Sequence, residues 1–438
     1  MPEPNHAGHS RRRVLAGLAG AGVAVVTPTA AGAAPVSHPD SPGATWVGTW
    51  ASVPTAVPAT AVTTLDNQTV RQVVHASIAG DAVRVRLSNE FGVQPVVVGE
   101  AHVALRAPGG GATDILPGTD HRLTFGGRPS VTMPAGAPVL SDSVPLRLPA
   151  GGDLVVSLHL PRRTPVTTVH GFSFQDNVIA DGNVTGARSV RATATVTQWY
   201  FLSGISVRTR SNGAASIVAF GDSITDGANT AANANHRWPD LLAGRLRAAP
   251  GLDDRGVLNL GIAGNRLLHD PNPQAGSPAE AYAAYFGQSA LRRFDRDVLA
   301  QPGARYVVVL LGVNDLGHPG TAAPPSEVVS AEDIIGAHRQ LIARSHAAGL
   351  AIYGGTILPF KDDTLGFYSA ENERKRQAIN TWMRTGGEFD GVVDFDAALR
   401  DPADPLRLLA RYDGGDHLHP NDAGMAAMAE AVPLRLFR

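Results

Sequence analysis

Hydrophobic and polar residues alternate along the front half of the chain, as they do in β-strands that bury one face. In the stretch DAVRVRLS, Val83, Val85 and Leu87 alternate with arginine and serine residues, and DLVVSLHLP repeats the pattern from Leu154 onward. Pairs containing glycine separate these runs as turns, and no helical apolar period is sustained. The pattern therefore predicts an all-β sandwich, jelly-roll-like, over residues 45–210.

The pattern changes near residues 207–216, after which apolar runs alternate with segments of helical length. The runs are SIVAF, GVLNLG, RYVVVLLG, AIYGGTILPF and GVVDFD, and the predicted helices lie near 236–249, 331–348, 371–386 and from 421 onward. Strands separated by helices are typical of a parallel sheet covered by helices on both faces. We therefore predict an α/β domain over residues 214–438, with ligands bound at the carboxyl ends of its strands.

The first 34 residues differ from both regions. Arg11 and the two arginines after it precede an apolar run that ends at Val26, and the small residues of AAGAAP follow. This order predicts a signal peptide over residues 1–34, and the adjacent arginines indicate twin-arginine export and a secreted bacterial protein. The apolar run has about half of the roughly 20 residues that a membrane span needs. A retained anchor or a basic tail stays open as the alternative.

Composition narrows the classes of function. The formal net charge is −2 at pH 7, which offers no basic surface for nucleic acid. The chain has no cysteine, so disulfides, thiol catalysis and zinc–thiolate sites are excluded. Beyond the leader, no run is long and apolar enough to cross a bilayer. We expect no cofactor, no nucleic-acid partner and no transmembrane segment, while the oligomeric state stays open.

Candidate site residues follow three of the predicted parallel strands. Ser223 comes two residues after Gly221 in SIVAFGDSITDG, Gly264 follows the second strand in NLGIAGNR, and Asn314 follows the third in LLGVNDLG. A serine hydroxyl becomes a useful nucleophile only beside a base and donors for the oxyanion that its attack creates. The backbone N–H of Gly264 and the side-chain amide of Asn314 are such donors. Taken singly, a plain turn or an Asx turn is the better explanation of each residue.

The stretch YDGGDHLHPNDAG near the end of the chain supplies a base. Asp416 stands three residues before His419, a spacing that places both side chains on one side of a tight loop or helical turn. The carboxylate can then accept from one ring nitrogen and direct the other toward a serine. Two alternatives stay open, a surface Asp/His cap ahead of a helix and, with His417 and Asp413 nearby, a metal site. Against the metal site, alternating histidines point to opposite faces when the chain is extended.

Taken together, Gly221-Asp222-Ser223-Ile224, the glycine-rich NLGIAGNR, Gly312-Val313-Asn314-Asp315 and Asp416-x-x-His419 resemble the four-block signature of the SGNH (GDSL-type) hydrolases. The blocks occur in order, each at a predicted strand end, and the resemblance spans roughly the second half of the chain. The similarity also extends, on softer grounds, to a secreted bacterial two-domain branch with a β-rich front domain.

The resemblance implies a role for each block. Ser223 would attack an acyl carbon, His419 would be its general base, and Asp416 would orient His419. The oxyanion would be held by the backbone N–H of Ser223, the backbone N–H of Gly264 and the side-chain amide of Asn314. No cofactor or metal takes part in this chemistry.

The resemblance also implies a three-layer, flavodoxin-like fold for the second domain. The nucleophile elbow G-x-S-x-G of the α/β-hydrolases is absent, because Thr225 stands where its second glycine would be. The sequence thus favours the SGNH type of serine hydrolase over the α/β-hydrolase type.

The expected function is that of a secreted serine esterase that removes short acyl groups, acetyl above all, from carbohydrate or polyol esters. A lipase or phospholipase acting on longer chains is the alternative, and it would need an apolar trough. The extended stretch 269–290 is the one candidate lid, and it is mostly small and polar. A binding protein with an inactive hydrolase half is a third hypothesis, which the intact blocks disfavour.

Several conspicuous residues are expected to be structural. Asp222, Asp226 and Asp315 are predicted to hydrogen-bond loop backbone. Trp238 is predicted to pack inside the domain. His170, like the other histidines of the β-rich region, shows no ligand spacing.

Overall fold

The front half of the chain forms antiparallel strands, as its alternating pattern predicts. The computed structural model describes residues 45–438, so the predicted leader lies outside the described residues. The strands of this β-rich region are β1 Thr45–Ala51, β2 Thr55–Ala56, β3 Thr64–Leu65, β4 Gln68–His75, β5 Ala82–Ser88, β6 Val96–Val98, β7 Glu100–Leu105, β8 His121–Arg122, β9 Val131–Met133, β10 Pro138–Leu140, β11 Asp153–Leu160, β12 Thr164–Pro165, β13 Thr168–His170, β14 Asn177–Asp181, β15 Ala194–Val196, β16 Trp199–Tyr200 and β17 Leu202–Thr209.

Two large antiparallel sheets enclose one apolar core. Their strand orders are β1-β17-β5-β10 and β15-β14-β4-β11-β7-β8. Val83, Val85 and Leu87 of β5 are buried in this core, whereas Arg84 and Arg86 between them are partly exposed. The alternation in the sequence therefore marks the inner face of a sandwich.

The second half of the chain is built on five parallel strands. These are β18 Ala215–Gly221, β19 Arg255–Gly261, β20 Ala304–Leu310, β21 Ala351–Gly355 and β22 Gly391–Val393. The helices are α1 Ser223–Asp226, α2 Trp238–Ala248, α3 Ala290–Phe294, α4 Val313–Gly317, α5 Ala331–Ala347, α6 Ala370–Thr385, α7 Phe395–Leu399 and α8 Asp422–Ala431. Short 3-10 turns occupy Ala59–Ala61, Pro278–Ala281, Ala283–Phe286, Pro325–Glu327, Ala410–Tyr412 and Leu434–Phe437, and a π turn occupies Asp295–Leu299.

The strand order of the parallel sheet is β19-β18-β20-β21-β22. Numbered within the sheet, this is the 2-1-3-4-5 order of the flavodoxin-like fold, whose ligand crevice opens between the first and third strands. In this chain the crevice lies between the ends of β18 and β20. The predicted fold class, an α/β domain preceded by a β-rich region, is confirmed.

Two of the longer helices, α5 and α8, begin at residues whose side chains cap them. The Ser330 hydroxyl accepts from the Asp333 backbone N–H, and the Asp333 carboxylate accepts from the Ser330 N–H, which forms a capping box at the start of α5. Asn421 caps α8 in the same region of the chain that carries His419. None of the helices in residues 45–438 is both long enough and apolar enough to cross a membrane.

The β-rich region packs directly on the parallel sheet, and the described residues form one compact unit. The backbone N–H of Gly48 in β1 donates to the carbonyl of Pro302 at 2.9 Å. The N–H of Val257 in β19 donates to the Ser77 hydroxyl at 3.0 Å. Backbone N–H groups of each region thus find their hydrogen-bond acceptors in the other region, as buried polar groups require. The predicted boundary at residues 210–214 falls between the end of β17 and the start of β18.

Candidate active site

Ser223 is the first residue of α1, directly after the end of β18. Asp222 is the cap of this short helix, and its carboxylate accepts from the Ile224 N–H at 3.1 Å. Gly221 is required at the turn, because a Cβ there would lie 2.1 Å from the Thr225 hydroxyl oxygen. The Ser223 side chain is thus presented at the sheet edge with only 6% of the residue exposed.

A continuous series of hydrogen bonds joins Ser223, His419 and Asp416. The Ser223 Oγ lies 2.8 Å from the Nε2 of His419, and the Nδ1 of His419 lies 2.7 Å from the Oδ2 of Asp416. With the carboxylate accepting from Nδ1–H, the Nε2 lone pair is left to accept from the serine hydroxyl. This is the geometry of a nucleophile, a base and an orienting carboxylate.

Asp416 is held in its ionised form. Burial opposes ionisation, but the hydrogen bond and charge of His419, together with the backbone N–H groups of His419 and Leu418, outweigh it. The pKa of Asp416 is therefore held well below its usual range. A permanently ionised Asp416 is suited to stabilise the imidazolium that forms when His419 takes a proton.

Asn229 adds a fourth member that the sequence analysis did not find. Its side-chain Nδ2 donates to the Oδ2 of Asp416 at 3.0 Å. The residue stands in the loop after α1 with a left-handed backbone, φ 65°, which asparagine tolerates better than most residues. Asn229 thus fixes the carboxylate oxygen that faces His419.

Two backbone N–H groups, those of Ser223 and Gly264, are candidate donors to an oxyanion. The N–H of Ser223 belongs to the first turn of a helix, where no intrahelical acceptor exists. Gly264 is the third residue of a turn closed by the Asn265 N–H on the Ile262 carbonyl, and its φ is +75°. The closing hydrogen bond of such a turn uses the N–H of the fourth residue, here Asn265, and does not involve the N–H of Gly264.

Asn314 lies in α4, directly after β20, and is 3% exposed. Its Nδ2 donates to the carbonyl of Asn265 at 3.0 Å. An amide nitrogen carries two protons, so one hydrogen bond leaves the second N–H for another acceptor. The bond also fixes the position of the amide relative to the turn that contains Gly264. The structure therefore brings all five sequence-predicted site residues to one edge of the sheet.

Arg293 in α3 organises this edge, and no local pattern pointed to it. Its guanidinium donates to the carbonyls of Gly221 at 3.0 Å and Leu260 at 3.1 Å, and to the side-chain oxygen of Asn265 at 3.0 Å. It is 1% exposed, and burial lowers its pKa to about 10, so it stays charged at neutral pH. A single buried cation thus connects the ends of two strands and the turn after the second.

The neighbouring aspartates bond loop backbone, as expected. Asp315 accepts from the N–H groups of Leu267 at 2.7 Å and Leu268 at 2.9 Å. Asp226 accepts from the Ala263 N–H at 2.9 Å. Burial raises the pKa of Asp222, the cap of the nucleophile helix, to about 7.

The residues considered for a metal site have other partners. The His417 ring bonds Asp413, while the His419 ring bonds Asp416 and Ser223. Within residues 45–438, no group of three or more histidine, aspartate or glutamate side chains is arranged to hold a metal ion.

Comparisons with known proteins agree with the four blocks. Residues 219–427 match the sequence model of the GDSL-like Lipase/Acylhydrolase family. Searched by sequence, the curated proteins contain no match to this chain.

Three similar solved structures are a putative lipolytic protein of the G-D-S-L family from Desulfitobacterium hafniense, a catalytic mutant of an acetylxylan esterase from Geobacillus stearothermophilus, and the native aryl esterase of M. smegmatis. In that order, their sequence identities to this chain are 20%, 20% and 16%, with TM-scores of 0.34, 0.35 and 0.36. The alignments cover 49%, 51% and 50% of this chain, and 96%, 94% and 96% of those chains.

Proposed function

We propose that this protein removes short acyl groups, acetyl above all, from carbohydrate or other polyol esters. Residues 219–427 belong to the GDSL-like lipase/acylhydrolase family, and the chain is therefore a carboxylic ester hydrolase. The observation that carries the hydrolytic proposal is the unbroken series from Ser223 through His419 to Asp416. Both hydrogen bonds are within the reach that proton transfer needs.

In the proposed mechanism the Ser223 Oγ attacks the acyl carbon while the His419 Nε2 takes its proton. The oxyanion of the tetrahedral intermediate accepts from the N–H groups of Ser223 and Gly264 and from the Asn314 amide. The intermediate collapses, and His419 returns the proton to the departing alcohol. A water molecule then attacks the acyl-enzyme with the same base, which releases the acid and restores the serine.

The preference for short acyl groups is supported by aromatic rings next to Gly264. A Cβ at Gly264 would lie 2.1 Å from the ring of Phe286, so this ring packs directly on the backbone that would hold the oxyanion. The ring of His318 stacks 5.2 Å from that of Phe286, and Phe367 packs against His318. Burial lowers the pKa of His318 to about 3, so this wall is uncharged. We propose that Phe286 closes the acyl pocket.

The preference for a polyol leaving group is supported by Tyr282. This residue is 40% exposed, and its ring packs 5.5 Å from that of Phe286. An exposed aromatic ring beside a catalytic crevice can pack on the apolar face of a sugar ring, because the aromatic ring offers a large uncharged contact surface. The stretch 269–290 thus contributes aromatic side chains to the site rather than a long apolar lid.

A series of p-nitrophenyl esters from acetate to palmitate tests the acyl preference. We expect kcat/KM to be greatest for acetate and to fall with chain length, and we expect Phe286→Ala to raise the relative rate for butyrate and hexanoate. Phe172→Ala is the matched control, because Phe172 packs on Tyr285 rather than on Gly264 and is expected to leave the preference unchanged. Activity that rises toward palmitate would favour the lipase or phospholipase alternative instead.

We further propose that the protein is secreted through the twin-arginine pathway and that residues 1–34 are removed. The proposal is supported by the order of arginines, apolar run and small residues at the N-terminus. Replacement of Arg11 and Arg12 by lysine should retain the protein inside a bacterial host, whereas the parent chain should appear in the medium with a new N-terminus near residue 35. Equal export of both chains would contradict this route.

A further inference from the structure

His170 lies at the contact between the β-rich region and the nucleophile helix. It ends β13, is 3% exposed, and packs against the ring of Trp199. Its Nδ1 lies 3.0 Å from the carbonyl oxygen of Val53, and its Nε2 lies 2.8 Å from the Oδ1 of Asp226. A carbonyl and a carboxylate both accept, so both ring nitrogens are placed to donate, as only the imidazolium can.

Asp226 connects this imidazole to both sides of the catalytic crevice. It is the last residue of α1, the helix that begins at Ser223, and it is 4% exposed. Its second oxygen, Oδ2, accepts from the N–H of Ala263, the residue before Gly264. With one oxygen bonded to His170 and the other to backbone, Asp226 accepts on both sides, which is the bonding of an ionised carboxylate.

We propose that His170 is a positioning residue for ester hydrolysis, which holds the Asp226 side chain aligned so that the Ser223 helix and the turn carrying Gly264 keep their relative positions. The proposal rests on the proposed function, because it assigns Ser223 and Gly264 their catalytic roles. It makes the β-rich region a contributor to the hydrolytic site.

The burial of the Asp226 carboxylate explains why a histidine is needed at position 170. A buried carboxylate without a hydrogen-bonding partner costs free energy. Arg293 is another buried cation at this edge of the sheet, but its hydrogen bonds go to Gly221, Leu260, Asn265 and Asp297. Without His170, Asp226 would therefore lose the hydrogen bond to its Oδ1, and its Oδ2 would no longer be held toward the Ala263 N–H. Both changes loosen the turn that precedes Gly264.

The first test compares His170→Phe with a matched variant elsewhere in the sandwich. His102 also bonds carboxylates through both ring nitrogens, Asp120 through Nδ1 and Glu100 through Nε2, but these partners all belong to the β-rich region. We expect His170→Phe to lower kcat for p-nitrophenyl acetate about 10- to 100-fold with KM changed less than about threefold, because small misplacements of reacting groups have effects of this size. His102→Phe should lower the thermal unfolding temperature and leave kcat within about twofold.

The second test separates positioning from folding. In Asp226→Asn, the side-chain oxygen can still accept from Ala263 and the amide can donate to a neutral His170, so we expect kcat within about fivefold of the parent. Asp226→Ala should lose kcat as His170→Phe does, and the double variant should lose little more, because both act through one contact. If His170→Phe does not fold, His170→Gln, which keeps one donor, serves in its place.

The outcomes are distinct. A His170 variant that is thermally destabilised but keeps the parental kcat would show a purely structural histidine and overturn the proposal. Equal kcat in Asp226→Asn and Asp226→Ala would also overturn it. Failure of the proposed function has a different signature, since Ser223→Ala would then retain its turnover.

Discussion

The Nε2 of His419 lies 2.8 Å from the Oγ of Ser223, although 196 positions separate the two residues along the chain. The contact forms because β18 ends at the crevice between the first and third strands of the sheet, and the loop before α8 returns to that same edge. Parallel sheets place ligands at this point in general. Here the fold brings a hydroxyl, an imidazole and a carboxylate into one hydrogen-bonded series.

Replacement of the serine tests the nucleophile. Ser223→Ala should lower kcat for p-nitrophenyl acetate by about 10⁴-fold or more, because the remaining hydrogen-bond donors stabilise only the uncatalysed attack of water. The circular dichroism spectrum and the thermal unfolding temperature should match those of the parent chain, since the hydroxyl is a small side chain. Turnover near the parental rate would remove Ser223 from this role.

Replacement of the amide tests the oxyanion donor. Asn314→Ala should lower kcat by about 10²- to 10³-fold, as the loss of one oxyanion donor does in other hydrolases. Asn272→Ala is the control, because the Asn272 amide donates to the carboxylate of Glu327. A loss confined to KM would mean that Asn314 binds the ester without stabilising its transition state.

Asn229 provides a more modest prediction. Its hydrogen bond to Asp416 is exposed to solvent, so its net contribution is that of an ordinary hydrogen bond, about 1 kcal/mol. Asn229→Ala should therefore lower kcat about fivefold and leave KM nearly unchanged. Steady-state kinetics over a range of ester concentrations gives both constants, and an unchanged kcat would show that Asp416 needs no help from this residue.

His170 gives the protein a pH-dependent contribution to stability. Burial disfavours the charged imidazole, but the charge and hydrogen bond of Asp226 and the Val53 carbonyl outweigh burial and raise the pKa of His170, while Arg237 acts against them. Asp240, which pairs with Arg237, and His75 line the same small cavity.

Because the folded pKa of His170 is raised, its stabilising effect is complete below the unfolded pKa, about 6.5, and is lost as the pH rises through the folded value. The difference in free energy of unfolding between the parent and His170→Gln should therefore be largest at mildly acidic pH and should shrink as the pH rises. Urea unfolding at a series of pH values measures it. A difference that is constant with pH would contradict a charged His170.

Local patterns predicted the strands, the longer helices and the residues of the candidate site, because each of these depends on short-range periodicity or on a motif at a strand end. Val83, Val85 and Leu87 showed the buried face of the sandwich directly. The spacing of Asp416 and His419 likewise foreshadowed their hydrogen bond. The limits of the two domains stay predictions.

The contacts that the sequence did not reveal all depend on tertiary structure. His170 meets Asp226 across 56 positions, Arg293 meets Gly221 across 72, and Asn229 meets Asp416 across 187. His170, Arg293 and Asn229 are each a single polar residue whose partner lies far away along the chain. No periodicity or sequence motif therefore identifies them. Such partners become visible only when the sheet order and the packing of the β-rich region are known.

Covalent labelling tests the central claim most directly. The parent chain, Ser223→Ala and His419→Ala are each incubated with a fluorophosphonate, and the adduct is located by peptide mass spectrometry. The account predicts one adduct, on Ser223 of the folded parent chain, with none in Ser223→Ala and a greatly slowed reaction in His419→Ala. An adduct on another residue, or undiminished labelling of Ser223→Ala, would contradict it.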